Sequence, residues 1–180
     1  MNEINISFEN GRELIGLRAS SRFFLDSYRL SRSHINPSID HLDNIEISSQ
    51  VIPRTVNLLF SYELLMKLAY LTDIFLKDKD NFKISDQRKY LKNDISHNVS
   101  KIRNHSWTNK DFHSYFSKIS QDDIKKYDGL FAKLRYLFEN NGLKISDIDF
   151  LYKTATTLYD LILNVHSKSN DPILALYLSK

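Results

Sequence analysis

Glycine and proline are too scarce in this chain to punctuate a β fold. Four Gly and three Pro occur in 180 residues, and a turn-rich β architecture needs many more breakers than that. Between them, apolar residues recur three and four apart, the period of a helix with one buried face. From Glu9 to Ser33 that face is Leu14, Leu17, Ser21, Phe24, Leu25 and Tyr28. Pro37 ends the helical region, and residues 35–52 read as a loop. Pro53 suits the first position of the next helix, where the missing N–H has no partner anyway. The helix predicted from Arg54 to Lys77 carries a stripe of Leu58, Tyr62, Leu65, Ala69, Thr72 and Leu76, widened by Leu59, Met66 and Tyr70. A helix apolar over so much of its circumference belongs at the centre of a fold.

The rest of the chain continues the pattern in shorter pieces. Ser85 is placed to cap a helix through Leu91, and another short helix is expected around His97 to Arg103. Thr108 with Asp111 is a cap signal for a helix carrying Phe112, Tyr115, Phe116 and Ile119. Ser120 with Asp123 repeats it before a helix expected to bury Ile124, Tyr127, Phe131, Leu134 and Phe138 and to stop at Asn140, Asn141 and Gly142. Ser146 with Asp149 opens the last long helix, whose stripe is Ile148, Leu151, Ala155, Leu158, Ile162 and Val165. Pro172 starts a tail, Ile173 to Leu178, apolar enough to dock on the body or on a second subunit. The expectation is one all-α domain over residues 1–180, an antiparallel bundle of about five to seven helices.

Composition narrows the function classes. Eleven Phe and ten Tyr supply bulky core material and argue against disorder. The absence of cysteine excludes disulfides, thiolate metal sites and Cys nucleophiles, and fits a cytoplasmic protein. The N-terminal residues Met1 to Asn10 have no apolar signal core. No apolar run approaches the roughly 20 residues that span a bilayer; the longest, Val56 to Leu76, is broken by Asn57, Glu63, Lys67 and Asp73. A net charge of +3 permits a nucleic-acid partner without demanding one. No His-x-x-x-His or Glu-x-x-His spacing occurs, and four Gly cannot build a phosphate loop. No metal and no cofactor are therefore expected.

Three elements, in order, resemble the HEPN superfamily of small helical proteins. Asn57 to Tyr70 is similar to that family's central helix, with Glu63, Leu64, Leu65, Met66 and Lys67 in the places of an acid, an apolar pair and a Lys. Ser96-His97-Asn98-Val99-Ser100-Lys101-Ile102 resembles its Gly-His-Asp-Leu-x-x-Leu element, and Leu134-Arg135-Tyr136 resembles a late Leu-Arg-Tyr. The likeness covers residues 54–165. It implies a HEPN-like bundle, a homodimer, and a place in toxin–antitoxin, antiphage or RNA-processing systems of bacteria or phages. Active members are metal-independent ribonucleases that carry an Arg, a polar residue after it, and a His four to six residues on.

This chain departs from that nuclease spacing. Arg103-Asn104 is a correct opening pair, but His105 follows at once and His113 comes too late. Arg29 and His34 match strictly, yet they lie at the end of the first helix, and five helical steps turn about 140°, off a common face. The catalytic candidates are Arg103, His105 and His97, with His as general acid or base and Arg on the scissile phosphate. Arg29, His34 and Arg135 are the candidates for RNA contact. The competing structural roles are a His97 that hydrogen-bonds a neighbouring helix, an Arg135 that pairs with an acid across the bundle, and Glu63 with Lys67 as an i, i+4 pair. Two functions follow as expectations: a non-catalytic HEPN-like module of a defence system that binds RNA or a partner protein, or an endoribonuclease with a divergent Arg/His site.

Overall fold

The computed structural model describes residues 2–33, 51–130, 148–171 and 174, with side chains in 12–30, 54–130, 148–171 and at 174. Among these residues the protein is all-α and has no strand. The helices are α1 (Asn2–Ser33), α2 (Val51–Lys77), α3 (Ile84–Tyr90), α4 (Ser100–Arg103), α5 (Lys110–Ser117), α6 (Gln121–Lys125) and α7 (Ile148–Lys168). A π-helical turn, Leu91–Ile95, extends α3. None of these helices is long and apolar enough to cross a membrane.

The three long helices form the frame. Ser61 Oγ donates to the Ser21 carbonyl, and the Phe24 ring stands edge-on to Phe60 with centroids 4.7 Å apart. Further back along α1, Arg18 meets His166, which in turn meets Thr72. At the other end Tyr28 lies 5.2 Å from Tyr152. Contacts thus descend α1 as they climb α2 and α7, so α1 is antiparallel to both and α2 and α7 run the same way. The short α5 lies antiparallel to α7, with the Tyr115 hydroxyl donating to the Thr154 carbonyl and Lys168 near Asp111.

The expected stripes are the buried ones. On α2, Leu58, Tyr62, Leu65, Met66, Leu68, Ala69 and Phe75 are all within a few per cent of full burial, which confirms the central helix. On α7, Leu151, Ala155, Leu158, Ile162 and Val165 are buried. On α1, Leu14, Ser21, Leu25 and Tyr28 are buried, while Leu17 and Phe24 are half-buried.

Several boundaries differ from the sequence reading. Helix α1 runs through Gly11 and Gly16 instead of starting at Glu9, because a helical Gly costs only about 1 kcal/mol and Leu14 and Arg18 pack beyond it. Helix α2 starts at Val51, so Pro53 sits within its first turn and not at its first position; no N–H of that turn has an intrahelical acceptor, so the ring is tolerated there. Ser85 does not cap α3: Lys83 stands at the cap position and Ser85 lies inside the helix. The π turn that follows lets both Leu91 and Ile95 reach the core, and Ser96, at φ 49°, ends it.

The cap of α5 is Asn109, not Thr108. The Asn109 side chain accepts from the Asp111 and Phe112 N–H groups, whereas Thr108 is turned toward Asp73. Ser120 caps α6 as expected, accepting from Asp123 N–H and donating to its carboxylate. The helix after it stops at Lys125, with Ile124 inside it and Tyr127 just beyond it both buried. Gly129, at φ 68°, then turns the chain left-handed, and its N–H bonds to the His97 carbonyl. Phe131, Leu134, Phe138, the Ser146 cap and the tail 175–180 lie outside the described residues.

Candidate functional site

Helix α2 carries two buried carboxylates, and each of them holds one of the candidate histidines. Glu63 is 5 % exposed. It accepts from Lys67 Nζ at 2.6 Å and contacts His97 Nδ1 at 2.9 and 3.1 Å. The expected Glu63–Lys67 pair is therefore present, and His97 ties the loop before α4 to the central helix. The His97 carbonyl also takes the Gly129 N–H.

Asp73 is 1 % exposed. Its carboxylate gathers the Thr108 N–H, the Thr108 hydroxyl, the Asn109 N–H at 2.7 Å and His105 Nε2 at 3.0 Å. Burial alone would push its pKa up. The bonds from His105, Thr108 and Asn109 outweigh that and hold it below the ordinary carboxylate value of 3.8. An ionised carboxylate can only accept, so His105 carries its proton on Nε2. Among the described residues nothing bonds to Nδ1, and this nitrogen is left for other chemistry. Around the imidazole stand Tyr70, 4.9 Å away, and Trp107, 5.0 Å away, both edge-on. Trp107 stacks on Phe116 at 4.2 Å and 10°. Burial, with Tyr90 beside it, pushes the Tyr70 hydroxyl up to about 12, and that hydroxyl donates to Gln87.

Arg103 faces elsewhere. Its Nε and one terminal nitrogen donate to the Ile119 carbonyl at 3.2 and 3.1 Å, and the other reaches Asn104. Asp73 thus holds the segment entering α5 while Arg103 holds the one leaving it. Those ends are about 12 Å apart, from eight residues at the helical rise. Glu63 and Asp73 are likewise rooted about 15 Å apart along α2. The three catalytic candidates are thus neighbours in sequence, but each is bonded to a different internal group: His97 to Glu63, His105 to Asp73 and Arg103 to the Ile119 carbonyl. Arg29 is exposed on α1; His34 and Arg135 lie outside the described residues.

A second polar cluster escaped the sequence reading. Arg18, 4 % exposed, and His166, fully buried, meet in the middle of the frame. One Arg18 terminal nitrogen donates to His166 Nδ1 at 2.8 Å and to the Leu174 carbonyl at 3.2 Å. Since Arg only donates, His166 Nδ1 carries a lone pair, and Nε2–H donates to Thr72 Oγ1 at 3.0 Å. Burial, and then the Arg18 charge, hold the His166 pKa down to about 3, against a weaker pull from Asp171. Asp171 in turn pairs with Lys79 at 3.0 Å and caps the Leu174 N–H. With no ring atom exposed, this histidine braces α1, α2 and α7 and cannot meet a substrate. The available signal was positional: Arg18 falls between Leu14 and Ser21, and His166 four residues after Ile162, each on an apolar stripe. Among the described residues, no group of three His, Asp or Glu is arranged to hold a metal ion.

Against known proteins, no family model matches the chain, and neither does any curated protein or solved structure.

Proposed function

We propose that the chain is a HEPN-like binding domain of a bacterial or phage defence system, one that engages RNA or a partner protein as a homodimer and is not a self-contained nuclease. The defence setting and the homodimer rest on the sequence resemblance. What carries the non-catalytic part is the internal bonding of His97, His105 and Arg103. Phosphodiester cleavage needs its base and its phosphate-binding cation within reach of one substrate atom group. Here each is engaged with a different internal partner. Support for RNA comes from Tyr90, 40 % exposed, whose ring lies 5.7 Å from Tyr70, with Lys89 and Lys92 exposed beside it. A base can stack on such a ring while the lysines meet phosphates.

The test has two arms. In the first, labelled single-stranded RNA is titrated against wild type and Tyr90→Ala, and binding is expected to weaken several-fold in the variant and with rising salt. In the second, total RNA is incubated with the protein and a chelator. Robust cleavage that disappears in Arg103→Ala or His105→Ala would overturn the reading. That outcome would favour the metal-independent endoribonuclease, and one observation supports it: the Asp73 carboxylate orients His105 and leaves its Nδ1 open.

A further inference from the structure

Arg18 is a buried cation whose bonding partners are both uncharged. It is 4 % exposed, and a guanidinium so far out of water ordinarily sits on a carboxylate. Among the described residues Arg18 has no such counter-ion. One terminal nitrogen, Nη1, makes both of its bonds, to His166 Nδ1 and to the Leu174 carbonyl. Its Nε and Nη2 donate to nothing among the described residues. Their N–H bonds point the same way in the plane of the group and form the fork that matches two oxygens of one anion. Neither nitrogen is a sealed orphan: among the described residues, the buried side-chain atom without a partner is Gln121 Oε1. The fork therefore keeps an opening to solvent.

Two further donors stand at the same seam between α1 and α7. Arg22 lies one helical turn from Arg18, on the same side of α1. It is exposed, and its Nε alone is engaged, with Asp26 at 3.2 Å, so both terminal nitrogens are open among the described residues. Tyr159, half-buried on α7, is near both guanidinium groups. Burial lowers the Arg18 pKa against an upward pull from Tyr159, while Asp26 and then Tyr159 raise that of Arg22. The antiparallel pairing of the helices explains the meeting. Arg18 with His166 and Tyr28 with Tyr152 bracket Arg22 and Tyr159 along the seam.

We propose that this seam is an anion site that takes a phosphate group, gripped by the Arg18 fork from within and by Arg22 and Tyr159 from the rim. A carboxylate has only the two oxygens that the fork uses. A phosphate group has a third for the rim, and its double charge answers two guanidinium groups, of which Arg22 alone has an acid beside it. Free phosphate and the phosphate of a nucleotide share this chemistry. The site has no residue in common with the Tyr90 surface, so it does not depend on the RNA reading.

Inorganic phosphate is the probe. Calorimetric titration of the full chain, with chloride holding the ionic strength constant, is expected to show saturable binding of a single phosphate. In nitrogen-15 spectra the Arg18 Nε–H signal is expected to shift along the same saturation curve. Removing Arg18 itself endangers the fold, so the variants are taken from the rim. Arg22→Gln is expected to weaken binding about tenfold and Tyr159→Phe several-fold, with circular dichroism unchanged in both. A nucleoside monophosphate titrated in parallel separates the two sources. Tighter binding than phosphate assigns the site to a nucleotide, and equal or weaker binding assigns it to the free anion. An absence of saturable binding, an affinity for acetate equal to that for phosphate, or full affinity in both variants would overturn the site.

Discussion

Replacing Asp73 separates the contribution of its charge from that of its hydrogen bonds. In Asp73→Ala the Thr108 and Asn109 N–H groups and His105 Nε2–H lose their common acceptor. A buried donor left unsatisfied costs about 1–3 kcal/mol. Thr108 and Asn109 are not fully buried and regain some water, so the loss should be about 3–4 kcal/mol. That is a large share of the roughly 5–15 kcal/mol that holds a domain together. Asp73→Asn behaves differently. The oxygen facing Thr108 and Asn109 can stay, and the new amide group falls opposite His105. The imidazole then moves its proton to Nδ1 and accepts at Nε2. The charge assistance is lost, together with the Thr108 N–H bond to the oxygen that the amide group replaces, while its bond to the remaining oxygen stays; the cost is about 1–2 kcal/mol. Urea unfolding followed by circular dichroism measures both variants. Nitrogen-15 spectra of the histidines report the tautomer of His105, Nε2–H in wild type and Nδ1–H in Asp73→Asn. An Ala variant within about 1 kcal/mol of wild type, or an Asn variant as unstable as Ala with His105 still protonated on Nε2, would refute the account of Asp73 as the ionised anchor of α5.

Other consequences can be checked with the same unfolding assay. Arg18→Met leaves His166 Nδ1 and the Leu174 carbonyl without a donor and is expected to cost roughly 3 kcal/mol, comparable to breaking a buried pair. The native His166 pKa, about 3, lies below its ordinary 6.5, so the unfolded chain binds the extra proton. Its contribution is complete above about pH 6.5 and is lost on acidification toward 3, at up to about 1.4 kcal/mol per pH unit; His166→Gln, which keeps an acceptor and a donor but cannot titrate, should flatten that part of the profile. Asp73 acts in the same direction lower down: its depressed pKa stabilises above 3.8 and the benefit disappears as pH falls through the native value. Gly129→Ala meets no neighbour among the described residues but must hold φ 68°, and a loss of about 1–2 kcal/mol is expected from the backbone alone. Asn109→Ala should cost about 1 kcal/mol as a lost cap.

Periodicity made the frame legible. Apolar stripes located α1, α2 and α7, and α2 was identifiable as central because polar residues interrupt it so rarely. The Ser120 cap and the Glu63–Lys67 pair were also readable, since both are settled within one turn. What could not be read depends on distant partners. Thr108 and Asn109 are both competent caps, and Asp73, far away in sequence, decides between them by taking the Thr108 hydroxyl. Ile124 and Tyr127 fit a longer helix, but Gly129 turns left-handed to reach the His97 carbonyl. Arg18 and His166 break the apolar rule on two helices at once, and only their meeting in space makes that tolerable. The candidate site shared this fate: the histidines were found as residues, while Asp73, which holds His105, passed as an interruption in an apolar run, and the bond from Glu63 to His97 was not foreseen.

The bond from Arg18 to the Leu174 carbonyl joins residues 156 positions apart. Closing so long a segment is slow, and it yields nothing until both ends are in place. A hairpin of α1 and α2 assembling first would keep the Arg18 guanidinium hydrated, because burying it before His166 arrives would strand a charge. On that order of assembly the N-terminal half would wait, with one wet seam, for α7, and docking of α7 would dry that seam late. Substitutions at Arg18 or His166 should accordingly speed unfolding far more than they slow folding.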